Sequence, residues 1–221
     1  MSEQAERVIP AAFFDRPTLT VARELLGQRL VRVLPDGTRL SGRIIETEGY
    51  TPEDPACHAH RGPSERARSM FGPAGMSYVY LIYGMYFCLN AVTEGAGRGA
   101  AVLFRALDDL EGAGRMAELR GPATKERDLT RGPARLCKAM AIDRALDGGW
   151  LSEPGPLYLA YGAPVADERV LMTPRIGIGA TPESQAAPWR FIEAGNAWLS
   201  GSRAQNQGRP YDAAAAAAHE V

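Results

Sequence analysis

The segment Tyr78–Asn90 (YVYLIYGMYFCLN) constrains this chain most. Aromatic and branched residues crowd two short runs, Met76–Ile82 and Tyr86–Thr93, and such side chains suit a pleated, half-buried surface. Between them Tyr83-Gly84-Met85 supplies a reversal, with Gly84 permitting a tight turn. The spacing predicts a β-hairpin, and an isolated hairpin needs further strands to be stable. Leu30–Leu34 and Thr38–Thr47 read as strands around the turn Pro35-Asp36-Gly37, and Ala100–Ala106 as another. Later strands are expected near Leu157–Tyr161, Arg175–Ile178 and Pro188–Ile192. Helices are expected over Thr18–Leu26, capped by Thr18 or Thr20 and ended by Gly27, over Asp109–Leu119, and over Pro133–Ala141 with proline in its first turn. Thr51–Gly75 is rich in Pro, Gly, His and Arg and long for a loop, with a short helix starting at Ser64. No βαβα rhythm is present, so the expectation is an α+β fold with a mostly antiparallel, curved β-sheet flanked by helices.

At 221 residues and 45% hydrophobic, the chain can bury a sizeable core as one domain. Residues 1–10 are expected to be a flexible N-terminus, 11–204 the domain and 205–221 a flexible tail, with Ala213–Ala218 able to form a short helix. No apolar run approaches the roughly 18–20 residues of a membrane span. The N-terminus lacks a charged-then-apolar leader pattern, so the expected location is cytoplasmic, or nucleoid-associated in a bacterium. Cys57, Cys88 and Cys137 are odd in number and widely spaced, which argues against a disulfide framework and a zinc ribbon.

A formal net charge of −1 counts at first against a polyanionic partner. The position of the charge matters more than its sum. Between Arg115 and Lys138 seven basic residues stand against three acidic ones. That segment is either a solvated helical face or a patch that meets a polyanion.

Five of the eight tyrosines fall in Arg43–Tyr50 and Tyr78–Asn90. An acid beside several aromatic faces suits holding a flat base and hydrolysing the bond behind it. Glu46-Thr47-Glu48 puts two acids on one face of a strand. Read alone, they are either an acid and base pair of the kind used on glycosidic bonds, or a structural acid paired with an arginine. Glu48 is expected at a strand end, where a loop lifts it into a cleft. His58-Ala59-His60 puts two imidazoles on one side of an extended chain, but no third metal ligand is evident.

The ordered segments GRIIETEGY, PEDPACHAHRG, MFGPAGMSYVYLIYGMYFCLN, AVLFRALDDLEG and RGPARLCKAMAID resemble the alkyladenine (3-methyladenine) DNA glycosylases, the eukaryotic-type methylpurine DNA glycosylases. The likeness is dense over Gly42–Asp143 and weaker to about Phe191. It implies a single domain whose protruding hairpin enters the DNA minor groove. The implied partner is double-stranded DNA containing damaged purines, and the implied reaction is hydrolytic removal of 3-methyladenine, 7-methylguanine, hypoxanthine or ethenoadenine in base-excision repair. No cofactor, metal or membrane is implied, and a monomer suffices.

The resemblance also implies roles. Glu48 activates the water, with Glu46 a structural neighbour. Tyr50 and Tyr80 sandwich the extruded base, His58 contacts it, and Asn90 forms the pocket floor. Tyr83 fills the gap left by the flipped nucleotide, flanked by Met85 and Tyr86 against the backbone. Arg105 contacts phosphate and holds the site, and Arg135 lies near a family lysine position that contacts phosphate. No lysine matches a nucleophile position, so an abasic site without strand nicking is expected. Ser64-Glu65-Arg66-Ala67 departs from the family's Thr-x-Arg-Asn. Two other readings remain open at this point: a damage-binding module that flips bases without cutting, which would not need Glu48, and a metal-dependent hydrolase using His58 and His60.

Overall fold

The computed structural model describes residues 6–121 and 123–217. Its strands are β1 (Arg29–Val33), β2 (Arg39–Tyr50), β3 (Ser77–Ile82), β4 (Tyr86–Thr93), β5 (Ala100–Glu111), β6 (Leu157–Ala160), β7 (Val170–Thr173), β8 (Arg190–Glu193) and β9 (Arg209–Pro210). Its helices are α1 (Ala11–Phe14), α2 (Thr18–Glu24), α3 (Ala113–Arg120), α4 (Pro133–Ala139), α5 (Pro182–Ala186) and α6 (Ala213–Ala217). The strands form one unclosed sheet in the order β3-β4-β5-β2-β8-β7-β9, with β1 pairing β2 and β6. These pairings are antiparallel. The chain is therefore a single α+β domain with few helices. No helix of the described residues is long and apolar enough to cross a membrane.

β2 is the spine. One edge pairs with β5; the other is shared, by β1 along Arg39–Arg43 and by β8 along Glu46–Glu48. Three irregularities break the β2–β5 register, one between Ser41 and Arg43 and two beside the acids. Ile44 faces Leu107 and Glu46 faces Ala106, so Ile45 is an extra residue on β2; Thr47 then faces Phe104, so Arg105 is an extra residue on β5. Each extra residue reverses the alternation of faces. Ile44, Phe104 and Leu107 therefore point into the main core beneath α2 and α4, with Leu25, Leu26, Leu136 and Met140. Thr47 also points that way, donating to the Ala22 carbonyl at 2.7 Å. Ile45 and Ala106 turn to a smaller cluster with Ile192 and Leu199, while Glu46, Glu48 and Arg105 meet on that same opposite face.

Several expected boundaries move. β2 runs on through Glu48 to Tyr50, so Glu48 lies within a strand and not at its end. β5 continues to Glu111 because Asp108 and Asp109 are paired by Arg43 and Arg29 across the sheet. The expected helix start at Asp109 therefore shifts to Ala113, after Gly112 in the left-handed region. No strand forms over residues 175–178; β7 lies just before, at Val170–Thr173. Ser64 begins a turn, its hydroxyl accepting from Ala67 N–H at 3.2 Å, and a 3-10 turn follows at Arg68–Phe71. Pro17 precedes α2, and no threonine caps it; the Thr18 hydroxyl instead meets that of Thr93 at 2.9 Å.

Within the stretches expected to be flexible, residues 1–5 and 218–221 lie outside the described residues. Val8 bridges to Ala160, and Ile9 is buried. Tyr211 packs edge-on against Phe191 after β9 has paired with β7.

Candidate active site

β2, β3, β4 and β5 meet two irregular segments, residues 51–61 and 174–181, around a cavity of about 860 Å³. Such a volume lies within the usual range of small-ligand sites. Tyr50, His58, Tyr78, Tyr80, Cys88, Asn90, Leu103 and Arg105 line it, together with Ile176–Thr181. The expected base-pocket residues Tyr50, His58, Tyr80 and Asn90 thus share one cavity, although they come from β2, a loop, β3 and β4.

Glu48 is fully buried and lies behind this surface. Three donors converge on it. The Tyr50 hydroxyl donates to Oε2 at 2.8 Å, Arg105 Nη1 to Oε2 at 3.1 Å, and the Ile176 backbone N–H to Oε1 at 2.8 Å. Each donor residue lines the cavity. Burial and the neighbouring Glu48 hold the Tyr50 phenol well above its ordinary range, so it stays a donor.

Glu46 is equally buried. Its Oε1 accepts from Arg105 Nε (2.8 Å), Arg190 Nε (2.7 Å) and Ser200 Oγ (2.6 Å), and its Oε2 from Ser200 N–H (2.7 Å). Burial alone would raise this carboxyl, but Arg105, Arg190 and Ser200 together bring it below the usual value. Arg105 bridges the two acids and also donates Nη2 to Ser200 Oγ at 3.2 Å. Sequence reasoning missed Arg190 and Ser200. The trace was Arg190 between Trp189 and Phe191, a cation in an apolar strand that demands a buried partner.

The aromatic wall is organised by edge and tilt contacts. His58 stands edge-on to Tyr80 with centroids 4.6 Å apart, and Tyr78 lies 5.3 Å from Tyr80. His58 Nδ1 shares a 2.9 Å hydrogen bond with the Tyr78 hydroxyl. Arg66, from the segment that departs from the family pattern, lies 5.2 Å over the Tyr80 ring at the cavity wall. His58 is exposed on its open side, yet desolvation against the wall and then the Arg66 cation push it down, to about 4. His58 is therefore expected to stay neutral as pH falls from about 8 to about 5. Ring resonances followed by NMR should not move over that span; a midpoint near the ordinary value of about 6.5 would contradict it. His60 turns away, its Nδ1 against the Pro52 carbonyl at 2.9 Å. Among the described residues no group of three His, Cys, Asp or Glu side chains converges as a metal site. Asn90 is buried, and its Nδ2 donates to the Tyr78 carbonyl at 3.0 Å, which fixes the amide plane.

Beside the cavity the hairpin tip stands out. Tyr83 is 81% and Met85 66% exposed, with Leu81 and Tyr86 each at 43%. Tyr83 and Gly84 both take positive φ, 53° and 69°, and Met85 N–H bonds the Ile82 carbonyl at 3.3 Å, as in the tight primed turns of hairpins. A contiguous exposed apolar tip of this kind marks an interaction surface. Part of the basic segment approaches it, since Pro133 and Ala134 line the same cavity as Tyr83 and Tyr86. Arg115 pairs with Glu118 at 2.5 Å and Arg131 with Asp128 at 3.5 Å. Arg120, Lys125, Arg135 and Lys138 make no ion pair among the described residues. Burial and the nearby Arg135 lower Arg120, which also lies within electrostatic reach of Tyr86. Arg120, with Arg135 beside it, thus stands near Tyr86 at the turn end of the hairpin.

A family model for methylpurine-DNA glycosylase (MPG) matches residues 12–197. A Herpetosiphon aurantiacus protein, provisionally named a 3-methyladenine DNA glycosylase, is 52% identical over 94% of this chain and 95% of its own length. The DNA-3-methyladenine glycosylase of Mus musculus is 46% identical over 85% of this chain and 60% of its own length. For that of Homo sapiens the values are 44%, 85% and 66%.

Proposed function

Because the chain belongs to the methylpurine-DNA glycosylase family, we propose that it excises alkylated or deaminated purines from duplex DNA by hydrolysing their N-glycosidic bonds. The observation that carries this reading is the buried Glu48 beneath an aromatic-walled cavity, tied to the cavity surface through Tyr50, Arg105 and Ile176. An extruded purine stacks against Tyr50, Tyr80 and His58. A cationic alkylated base gains about 0.5–2 kcal/mol from such rings. The amide of Asn90 disfavours the exocyclic amino group of normal guanine.

Cleavage leaves an oxocarbenium-like sugar, which the Glu48 carboxylate stabilises. The attacking water reaches Glu48 at the seam between Tyr50 and Arg105 and gives it a proton as it bonds to C1′. An N-alkylated purine leaves without acid assistance, whereas hypoxanthine needs a proton or hydrogen bonds at its leaving nitrogen. Neither lysine of this chain lines the cavity, so no Schiff base forms and the product is an abasic site. Arg135 and Arg120 hold phosphates beside the hairpin, Met85 and Tyr86 rest on the backbone, and the remaining N–H groups of Arg105 face the flipped nucleotide's phosphate. The protein acts as a monomer on chromosomal DNA.

The test is base release from one duplex carrying hypoxanthine and one randomly methylated, without added metal. Alkali-dependent strand cleavage supports a monofunctional glycosylase. Tight lesion binding with no release would establish a damage-binding module instead.

Tyr83 serves as the wedge in this reading. Extrusion costs a few kcal/mol, part of which the inserted ring offsets. Tyr83→Ala is expected to weaken lesion-duplex binding about tenfold, with little effect on single-stranded substrate. Equal loss on both substrates, in parallel titrations, would remove the wedge role.

A further inference from the structure

We propose that the buried ion pair of Arg175 and Asp54, completed by Ser184, is a positioning staple that sets the width of the base pocket. This deepens the reading above and rests on it. The two irregular segments that wall the cavity, residues 51–61 and 174–181, have no ladder of their own to hold them. Asp54 lies in the first, three residues before Cys57 and four before His58. Arg175 lies in the second, next to Ile176, whose N–H holds Glu48.

The pair lies in the interior, with both side chains almost without exposure. Arg175 Nη2 donates to Asp54 Oδ2 and, at 3.2 Å, to the Ser184 carbonyl, while Nη1 donates to the Gly49 carbonyl at 3.0 Å. Ser184 Oγ donates to Asp54 Oδ1 at 2.5 Å, and Ala56 N–H donates to the same oxygen at 3.0 Å. The guanidinium also lies between two rings, 4.7 Å from Tyr50 and 4.8 Å from Trp189. One cation therefore ties together the stacking ring, the loop that carries His58, and the segment that carries Ile176. A buried charge is costly unless it is paired. This one is paired with Asp54 through Nη2, its Nε having no hydrogen-bond partner among the described residues, and its two Nη groups reach the first loop, α5 and the Gly49 carbonyl. It touches neither cavity nor hairpin, so it governs capture of an extruded base and not docking of the duplex.

Asp54→Asn alters only the first loop. Hydrogen exchange of the protein without DNA should nevertheless speed up at residues 176–184, leaving β3 and β4 unchanged; faster exchange confined to the first loop would overturn the staple. Should that variant fail to fold, Asp54→Asn with Arg175→Met removes both charges and leaves no buried ion unpaired. In a Glu48→Gln background, either variant should bind an ethenoadenine duplex about tenfold more weakly and a tetrahydrofuran abasic-analogue duplex as before. Arg175→Lys alone, which keeps the cation and its Asp54 partner, should lose less than either. Equal loss on both duplexes would show a merely structural role. If the unaltered pocket preferred neither duplex over undamaged DNA, the proposed function would fall, while the exchange experiment would still decide the staple.

Discussion

Glu48→Gln is expected to lower base release by about 10²–10⁴-fold while leaving lesion-duplex affinity nearly intact. An amide has the shape of the carboxylate but cannot take the water's proton or balance an oxocarbenium charge. It also keeps only one acceptor where Tyr50, Arg105 and Ile176 now donate to two oxygens. A stability loss of about 1–3 kcal/mol should therefore accompany the change. Single-turnover release and a binding titration separate the two effects. Release at the original rate in a folded variant would end the role of Glu48 as base. A parallel loss of lesion binding would instead assign it to holding the pocket together.

The largest stability effect is expected at the other acid. Glu46→Gln takes away the anion shared by two buried cations, and Arg190 has no exposure at all. Breaking a buried pair from one side costs about 3–5 kcal/mol, because the remaining charge stays desolvated. Urea denaturation at neutral pH measures this directly; a change near zero would mean that the other acceptors of Arg190, namely Thr173 Oγ1 (2.9 Å), the Gln205 carbonyl (2.9 Å), the Ser200 carbonyl (3.3 Å) and Asn206 Oδ1 (2.6 Å), suffice for it. The pH dependence has a definite sign. Burial opposes ionisation, but Arg105 and Arg190 outweigh it and depress the folded value below 4.5. The stabilisation is thus present above about 4.5 and is lost as pH falls through the lower folded value. The variant should lack that part of the acid slope.

These two acids show how far the sequence could be read. Their same-face placement followed from strand periodicity, and the structure does put Glu46 and Glu48 on one arginine. Which acid has which surroundings did not follow. Arg190 and Ser200 come from 144 and 154 residues further along the chain, and no local pattern encodes such a contact. The expected cleft-edge position of Glu48 failed for a related reason. Strand ends were read from local residue types, whereas β2 is extended by ladders to β5 and β8, one of them formed late in the chain.

The sequence by itself determined the hairpin, its Tyr-Gly reversal, the α+β class and the family, because each rests on local side-chain chemistry or on ordered motifs. Only the tertiary structure decided the two bulges at Ile45 and Arg105, the burial of Glu48 behind its three donors, and the link from Asp54 to Arg175. A bulge exists only relative to the strand opposite, and burial only relative to everything packed around it. Both are properties of pairs distant in sequence, so they arise when the sheet assembles and not before.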